Sequence, residues 1–169
     1  MNSLLGCVER GVLRPARAFG PAGRRNIESA MAKTTTMNVE IRFGDCDPAG
    51  IVFFPRYHRW MDAASLQFFM TWGVPPWHEL EHTTGIIGTP LLEHHAKFVK
   101  SATYGERLTI TTSIQEWRAK VFLQKHVITR GEDLICESLE TRVFVVRDAV
   151  DRRRIHAIPI PEDIRRLCE

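Results

Sequence analysis

Several things are scarce or missing in this chain, and each absence removes a class of protein. No long apolar run exists: strongly hydrophobic stretches such as Gly50-Ile51-Val52-Phe53-Phe54 fall far short of the roughly 18 residues a helical membrane span needs, so no membrane partner is expected. The four cysteines, Cys7, Cys46, Cys136 and Cys168, are scattered with no CxxC pair. Neither a zinc framework nor a disulfide scaffold is written there, and free thiols in a reducing compartment are the expectation. Charge of one sign is also lacking. Five arginines against two glutamates in residues 1–30 account for the whole net charge of +3, and the remaining 139 residues carry 18 of each sign. That is not the excess-positive field with which a nucleic-acid binder displaces counterions from phosphates. With 169 residues, there is no room for a two-domain dinucleotide enzyme. The 44% of hydrophobic residues still suffices for a core.

The first thirty residues are rich in Arg, Gly, Pro and Ala and show no apolar periodicity; the polar stretch Ala32-Lys33-Thr34-Thr35-Thr36 follows. We expect residues 1–34 to be a disordered extension and residues 35–169 to be the folded domain. The extension is Arg-rich and acid-poor, as transit peptides are, but lacks the apolar core of a secretory signal. An organelle address and an upstream start, with Met31 the natural first residue, are both open readings.

From Met37 the alternation Val39-x-Ile41-x-Phe43 predicts a half-buried strand that Gly44-Asp45 stops. Asp45 to Gly50 is then a loop leaving a strand. Pro55 suits a first helical position, and Gly73 with Pro75-Pro76 suits a helix end. The helix predicted over 55–72 is about 18 residues, roughly 27 Å long. Tyr57, Trp60, Met61, Ala64, Phe68 and Trp72 form its stripe, while Leu66, Phe69 and Met70 lie off it, so burial on more than one side is expected. A short helix or turn over Trp77–Thr84 precedes strand-like runs near Leu91–Val99, Arg107–Trp117, Lys120–Thr129, Leu134–Arg147 and Arg154–Ile158. The order is one strand, one long helix, five strands, without βαβ alternation or internal repeat. An antiparallel sheet wrapped around one buried helix satisfies both burial patterns, an α+β arrangement of hot-dog type.

Asp47 stands in the Pro/Gly-bounded loop just ahead of that helix. A carboxylate near a helix N-terminus, whose free N–H groups and dipole favour an oxyanion, supplies two parts that acyl transfer to water requires. An Asx turn before Pro48, or simple helix capping, is the structural alternative.

The residues also resemble a known family. Phe43-Gly44-Asp45-Cys46-Asp47-Pro48-Ala49-Gly50-Ile51-Val52, then Pro55, Tyr57-His58-Arg59-Trp60 and Asp62-Ala63-Ala64-Ser65, look like the hot-dog acyl-CoA thioesterases of the 4-hydroxybenzoyl-CoA thioesterase type. The likeness continues in Gly73-Val74-Pro75-Pro76-Trp77, Gly88-Thr89-Pro90, Glu116-Trp117-Arg118-Ala119-Lys120 and Arg142-Val143-Phe144, and spans about Met37 to Cys168.

The resemblance implies a cytoplasmic homotetramer that hydrolyses an aromatic acyl-CoA, 4-hydroxybenzoyl-CoA foremost, with no metal and no cofactor beyond the coenzyme A of the substrate. It implies Asp47 as the catalytic carboxylate, either nucleophile or general base, and the backbone N–H of Phe54 as carbonyl polariser, where the family usually has tyrosine. Asp62 would accept a hydrogen bond from the ring hydroxyl, unless it is a surface carboxylate paired with Arg56 or Arg59. Trp77, the Thr89, Pro90, Leu91 run, Arg118 and Lys120 would contact coenzyme A, with Arg142 a further cation; a third basic residue of the family pattern is Ala119 here. The alternatives are a thioesterase for other aromatic or short-chain acyl-CoAs and a non-catalytic acyl-CoA binding module. The histidines give a rival reading, since His78-Glu79-Leu80-Glu81-His82 matches HExxH in form. It sits in a short segment without a third-ligand motif, so no metal is expected. His58 reads as a packing residue and Cys46 as a space-filler, since thiol catalysis needs a paired histidine.

Overall fold

The computed structural model describes residues 32–169. Most of the expected disordered extension therefore lies outside the described residues. Its last residues do not behave as an extension. Strand β1 runs Thr34–Glu40 and pairs antiparallel with β4, Thr34 opposite Ser113 and Thr36 opposite Thr111. The expected boundary at 34/35 is thus too late: β-branched threonines suit a sheet edge, and the pairing partner is more than seventy residues away. Lys33 Nζ donates to the Leu167 carbonyl at 2.8 Å and lies 5.0 Å from the centre of the Trp72 ring.

After a 3-10 turn at Phe43–Asp45 comes α1, Pro55–Thr71, with Pro55 at its first position as expected. Then follow α2 (Trp77–Thr83), β2 (Ile86–Gly88), β3 (Leu91–Phe98), β4 (Arg107–Trp117), β5 (Val121–Arg130), β6 (Asp133–Val143), β7 (Val145–Arg147), β8 (Ile155–Ala157) and α3 (Glu162–Cys168). The five-stranded antiparallel sheet has the order β1-β4-β5-β6-β3, and β2-β7-β8 form a second, three-stranded sheet. Four features differ from the sequence reading. The first strand ends at Glu40, and Phe43, expected on its apolar phase, lies exposed in the 3-10 turn. The run expected as one strand over Leu134–Arg147 is split at Phe144 between the two sheets, because Arg142 to Val145 are all buried and abandon strand alternation. The short strand β2 and the helix α3 were not expected.

Alternate residues of β4, β5 and β6 point at α1, which buries Tyr57, Met61, Ala64, Ser65, Phe68 and Phe69. Phe69, off the main stripe, meets Phe68, Trp77, Phe122 and Phe144 with ring centres 5.4–5.7 Å apart. The helix is therefore buried on more than one side, although Met70 stays exposed. Two apolar clusters result, one around Met61, Ile110 and Ile128, the other around Phe69, Phe122 and Phe144. Between them the sheet carries buried polar side chains: Thr112, Gln124, His126, Ser138, Glu140 and Arg142.

Candidate active site

The Asp-Cys-Asp loop forms a tight hairpin closed by an antiparallel bridge between Cys46 and Val52. The Asp47 N–H donates to the Ile51 carbonyl and the Gly50 N–H to the Asp47 carbonyl, both at 2.9 Å. Gly50 has φ +77°, a left-handed turn conformation that favours glycine. The two aspartates differ. Asp45 is tied up: its Oδ2 accepts the Arg42 N–H at 2.9 Å and its Oδ1 lies 3.3 Å from Arg56 Nε. Asp47, half-buried, forms the Asx turn, with Oδ1 accepting the Ala49 N–H at 2.8 Å. Its Oδ2 has no partner among the described residues, so turn and free carboxylate oxygen coexist.

Phe54 caps α1. The Phe53 N–H donates to Asp45, Arg56 N–H to Phe53 and Tyr57 N–H to Phe54, and Pro55 has none, which leaves the Phe54 N–H as the unpaired amide of this helix opening. The first turn thus offers one free donor rather than several. The Phe54 side chain is exposed and lines an apolar cavity of about 290 Å³ with Ile51, Val52, Tyr57 and Phe98. Burial, with the charge of nearby Cys136 and Glu106, pushes the Tyr57 phenol up to about 12.

A second group gathers further along α1. Asp62, Trp77, Thr89, Pro90 and Leu91 line one cavity of about 470 Å³ together with Arg142. A neighbouring cavity of about 450 Å³ shares Arg59, Asp62, Leu91 and Arg142 and adds His58, His94 and Glu140. Gly88, with φ +145°, holds a backbone conformation that other residues rarely adopt, beside the Trp77 ring. Asp62 pairs with neither Arg56 nor Arg59: its Oδ1 accepts Arg142 Nη2 at 2.9 Å. Arg142 is 4% exposed and its other nitrogens donate to Glu140 Oε2 (2.7 Å) and the Thr89 carbonyl (3.0 Å). It is not available as a phosphate cation, the role considered for it from sequence.

Glu140 anchors this group, and sequence reading missed it. Burial alone would raise its carboxyl, but the His126 hydrogen bond and the Arg142 charge outweigh it and hold it at about 2. An ionised carboxylate only accepts. His126 Nε2 (3.3 Å) and His94 Nδ1 (3.1 Å) therefore carry the protons directed at it, and His126 Nδ1 shares a hydrogen bond with Thr112 Oγ1 at 2.9 Å. His58 packs on His94 at 4.4 Å between ring centres, and burial with the charge of His94 lowers its basicity. The inward phase of residues 136, 138, 140 and 142 along β6 was the available signal, and a glutamate in that phase demands partners.

Arg118 and Lys120 sit on the exposed β4–β5 turn. Arg118 forms a two-point pair with Glu116, Nε–Oε1 3.0 Å and Nη2–Oε2 2.9 Å, which raises its basicity further. The Asp47 loop lies at the other end of the sheet, bridged to Thr103 just before β4 begins. The eleven residues of β4 separate the ends by roughly 35 Å at the usual strand rise. One chain therefore gathers Asp62 with Trp77, Thr89, Pro90 and Leu91; Asp47 and the Phe54 N–H belong to one short segment, with Asp47 outside the lining of the Phe54 cavity, and Asp47 is not gathered with Arg118 and Lys120. In α2, His78 and His82 are exposed and Glu81 is committed to Arg147 at 2.9 Å. No three His, Cys, Asp or Glu side chains are grouped to hold a metal ion among the described residues, and no described helix is long and apolar enough to cross a membrane.

An antiparallel sheet curled on one buried helix is the hot-dog arrangement. A family model described as the thioesterase-like superfamily matches residues 41–167. The 4-hydroxybenzoyl-CoA thioesterase of Pseudomonas sp. (strain CBS-3) is 48% identical over 143 residues, covering 82% of this chain and 99% of that protein. A crystal structure of a mutant 4-hydroxybenzoyl-CoA thioesterase complexed with 4-hydroxybenzoyl-CoA matches with TM-score 0.76 and 45% identity, covering 82% of this chain and 100% of that one. A gentisyl-coenzyme A thioesterase structure matches at TM-score 0.67 and 31% identity, covering 79% of this chain and 98% of that one. The chain belongs to the thioesterase-like superfamily and, within it, to the 4-hydroxybenzoyl-CoA thioesterase family.

Proposed function

We propose that the protein hydrolyses 4-hydroxybenzoyl-CoA to 4-hydroxybenzoate and coenzyme A, with Asp47 as the catalytic carboxylate. The observation that carries this reading is that one short segment ahead of α1 holds both an uncommitted Asp47 oxygen and the unpaired Phe54 N–H. The N–H polarises the thioester carbonyl and receives the oxyanion as it forms. Asp47 then acts by one of two routes. In the first its oxygen adds to the carbonyl carbon, the thiolate leaves and water hydrolyses the resulting anhydride. In the second it takes the proton of a water whose oxygen adds to the carbonyl carbon, and the thiolate leaves as the oxyanion collapses to the acid. Asp62 accepts the ring hydroxyl. Trp77, Thr89, Pro90 and Leu91 flank the pantetheine arm, and Arg118 and Lys120 meet the phosphates, Arg118 exchanging Glu116 for a phosphate oxygen. The reaction calls for no metal or further cofactor.

The assembly we infer is a homotetramer. Its support is the separation of the Asp47 loop from the Arg118–Lys120 turn along β4, and the open edge of β3, where Leu91, Leu92, Phe98 and neighbouring Val99 are exposed. Free Cys46, Cys136 and Cys168 fit a reducing, cytoplasmic location.

A thiol-release assay over benzoyl, hydroxybenzoyl, phenylacetyl and aliphatic CoA esters tests the reading. The expected result is fastest turnover of 4-hydroxybenzoyl-CoA by the wild type, and a loss of about a thousandfold or more in Asp47→Asn with ester binding retained. Binding of CoA esters by the wild type with no thiol released from any would assign it as a binding module instead.

A further inference from the structure

The guanidinium of Arg142 touches two of the residues that the proposed reading sets against substrate. Its Nη2 donates to Asp62, its Nη1 to the Thr89 carbonyl and its Nε to Glu140. Asp62 itself is a poor candidate for precise recognition if left alone. It sits on the open side of α1 with a side chain 74% exposed, free to exchange between staggered rotamers. A fixed acceptor needs a fixed partner.

We propose that Arg142 is a positioning residue for recognition of the substrate ring: it holds Asp62 by Oδ1, leaving Oδ2 as the acceptor offered to a ring hydroxyl, and ties the Thr89 wall to the same anchor. This rests on the reading of Asp62 given above. Arg142 is in turn immobilised from behind. Glu140 receives its Nε and is itself held by His126 and His94, and His126 by Thr112, so the chain of contacts runs from β4 through β5 and β6 to α1. A planar fork with fixed donor directions serves three acceptors at once; a lysine ammonium on a flexible stem does not.

The test compares kcat/KM for 4-hydroxybenzoyl-CoA with that for benzoyl-CoA, by thiol release, in wild type, Asp62→Ala, Arg142→Gln, Arg142→Lys and the Asp62→Ala/Arg142→Gln double variant. The expected result is a fall of about tenfold or more in this ratio in Asp62→Ala. Each Arg142 variant should show a similar fall although Asp62 is present, and the double variant no further one. General damage to the fold lowers both substrates alike and leaves the ratio alone. A ratio held at the wild-type value in a folded Arg142 variant, or a double variant whose losses multiply, overturns the proposal. If Arg142→Gln fails to fold, Arg142→Lys, which keeps a cation beside Glu140, decides it. An unchanged ratio in Asp62→Ala removes the reading of Asp62 and this proposal with it. No thiol release from either ester by the wild type is the separate failure of the hydrolase assignment.

Discussion

Asp45 and Asp47 occupy one loop two positions apart, and what distinguishes them is how many of their oxygens are spoken for. Both oxygens of Asp45 hold the turn and the start of α1 together; Asp47 spends one on its own loop. Glu140 is the opposite extreme, a buried carboxylate with every approach filled. Its carboxyl is held at about 2 against an ordinary 4.5. A lowered folded-state value means that the ion contributes stability above about pH 4.5 and that the contribution drains away as pH falls toward 2. Glu140→Gln should therefore cost about 3 kcal/mol at neutral pH, where it takes from a buried cation its buried carboxylate and leaves it only the exposed Asp62. The gap between variant and wild type should close between pH 4.5 and 2 in urea titrations. A gap independent of pH would remove Glu140 as the source of acid sensitivity. Little of this was legible beforehand. The loop motif located Asp47 and Phe54, but the Asp62–Arg142 pair joins residues 80 positions apart, and nothing local in either segment announces the other.

Among the elements, α1 shows how far periodicity reaches. Its start at Pro55 and its close near Thr71 follow from a proline suited to the first turn and a Gly-Pro-Pro stop. Of the off-stripe residues Phe69 is fully buried, Leu66 half-buried and Met70 exposed, so burial on a second side rests on Phe69. Phe69→Ala should accordingly lower stability by about 4 kcal/mol, since four aromatic neighbours cannot all collapse into the space. A thermal melt measures this, and a loss below about 1 kcal/mol would show the cluster to be loosely packed. Strand β2 spans three residues, too few for a period, and its pairing with β7 is set by tertiary structure. Helix α3 is another matter. Pro161 before it, Glu162 and Asp163 in its first turn and Arg165 and Arg166 in its last match the helix dipole, and Ile164 and Cys168 are buried one turn apart. That signal was present and went unread. The split at Phe144 had a fainter mark, the unalternating Val143-Phe144-Val145-Val146.

For the molecule as a whole, the domain is closed at its chain ends by Lys33, which meets α3 at Leu167 and the end of α1 at Trp72. Removal of residues 1–30 leaves that clasp in place, and we expect an unchanged melting midpoint and unchanged turnover; a loss of either would give those residues a part in the enzyme. The length of β4 has a larger consequence. The loop bearing Asp47 and the turn bearing Arg118 lie roughly 35 Å apart in one chain, so a bound molecule that meets both must borrow one of them from a second copy. Two crippled proteins, Asp47→Asn and a form with Arg118 and Lys120 both changed to alanine, should then rescue each other when unfolded and refolded as a mixture. Diluting the wild type until its copies part should extinguish catalysis while each remains folded.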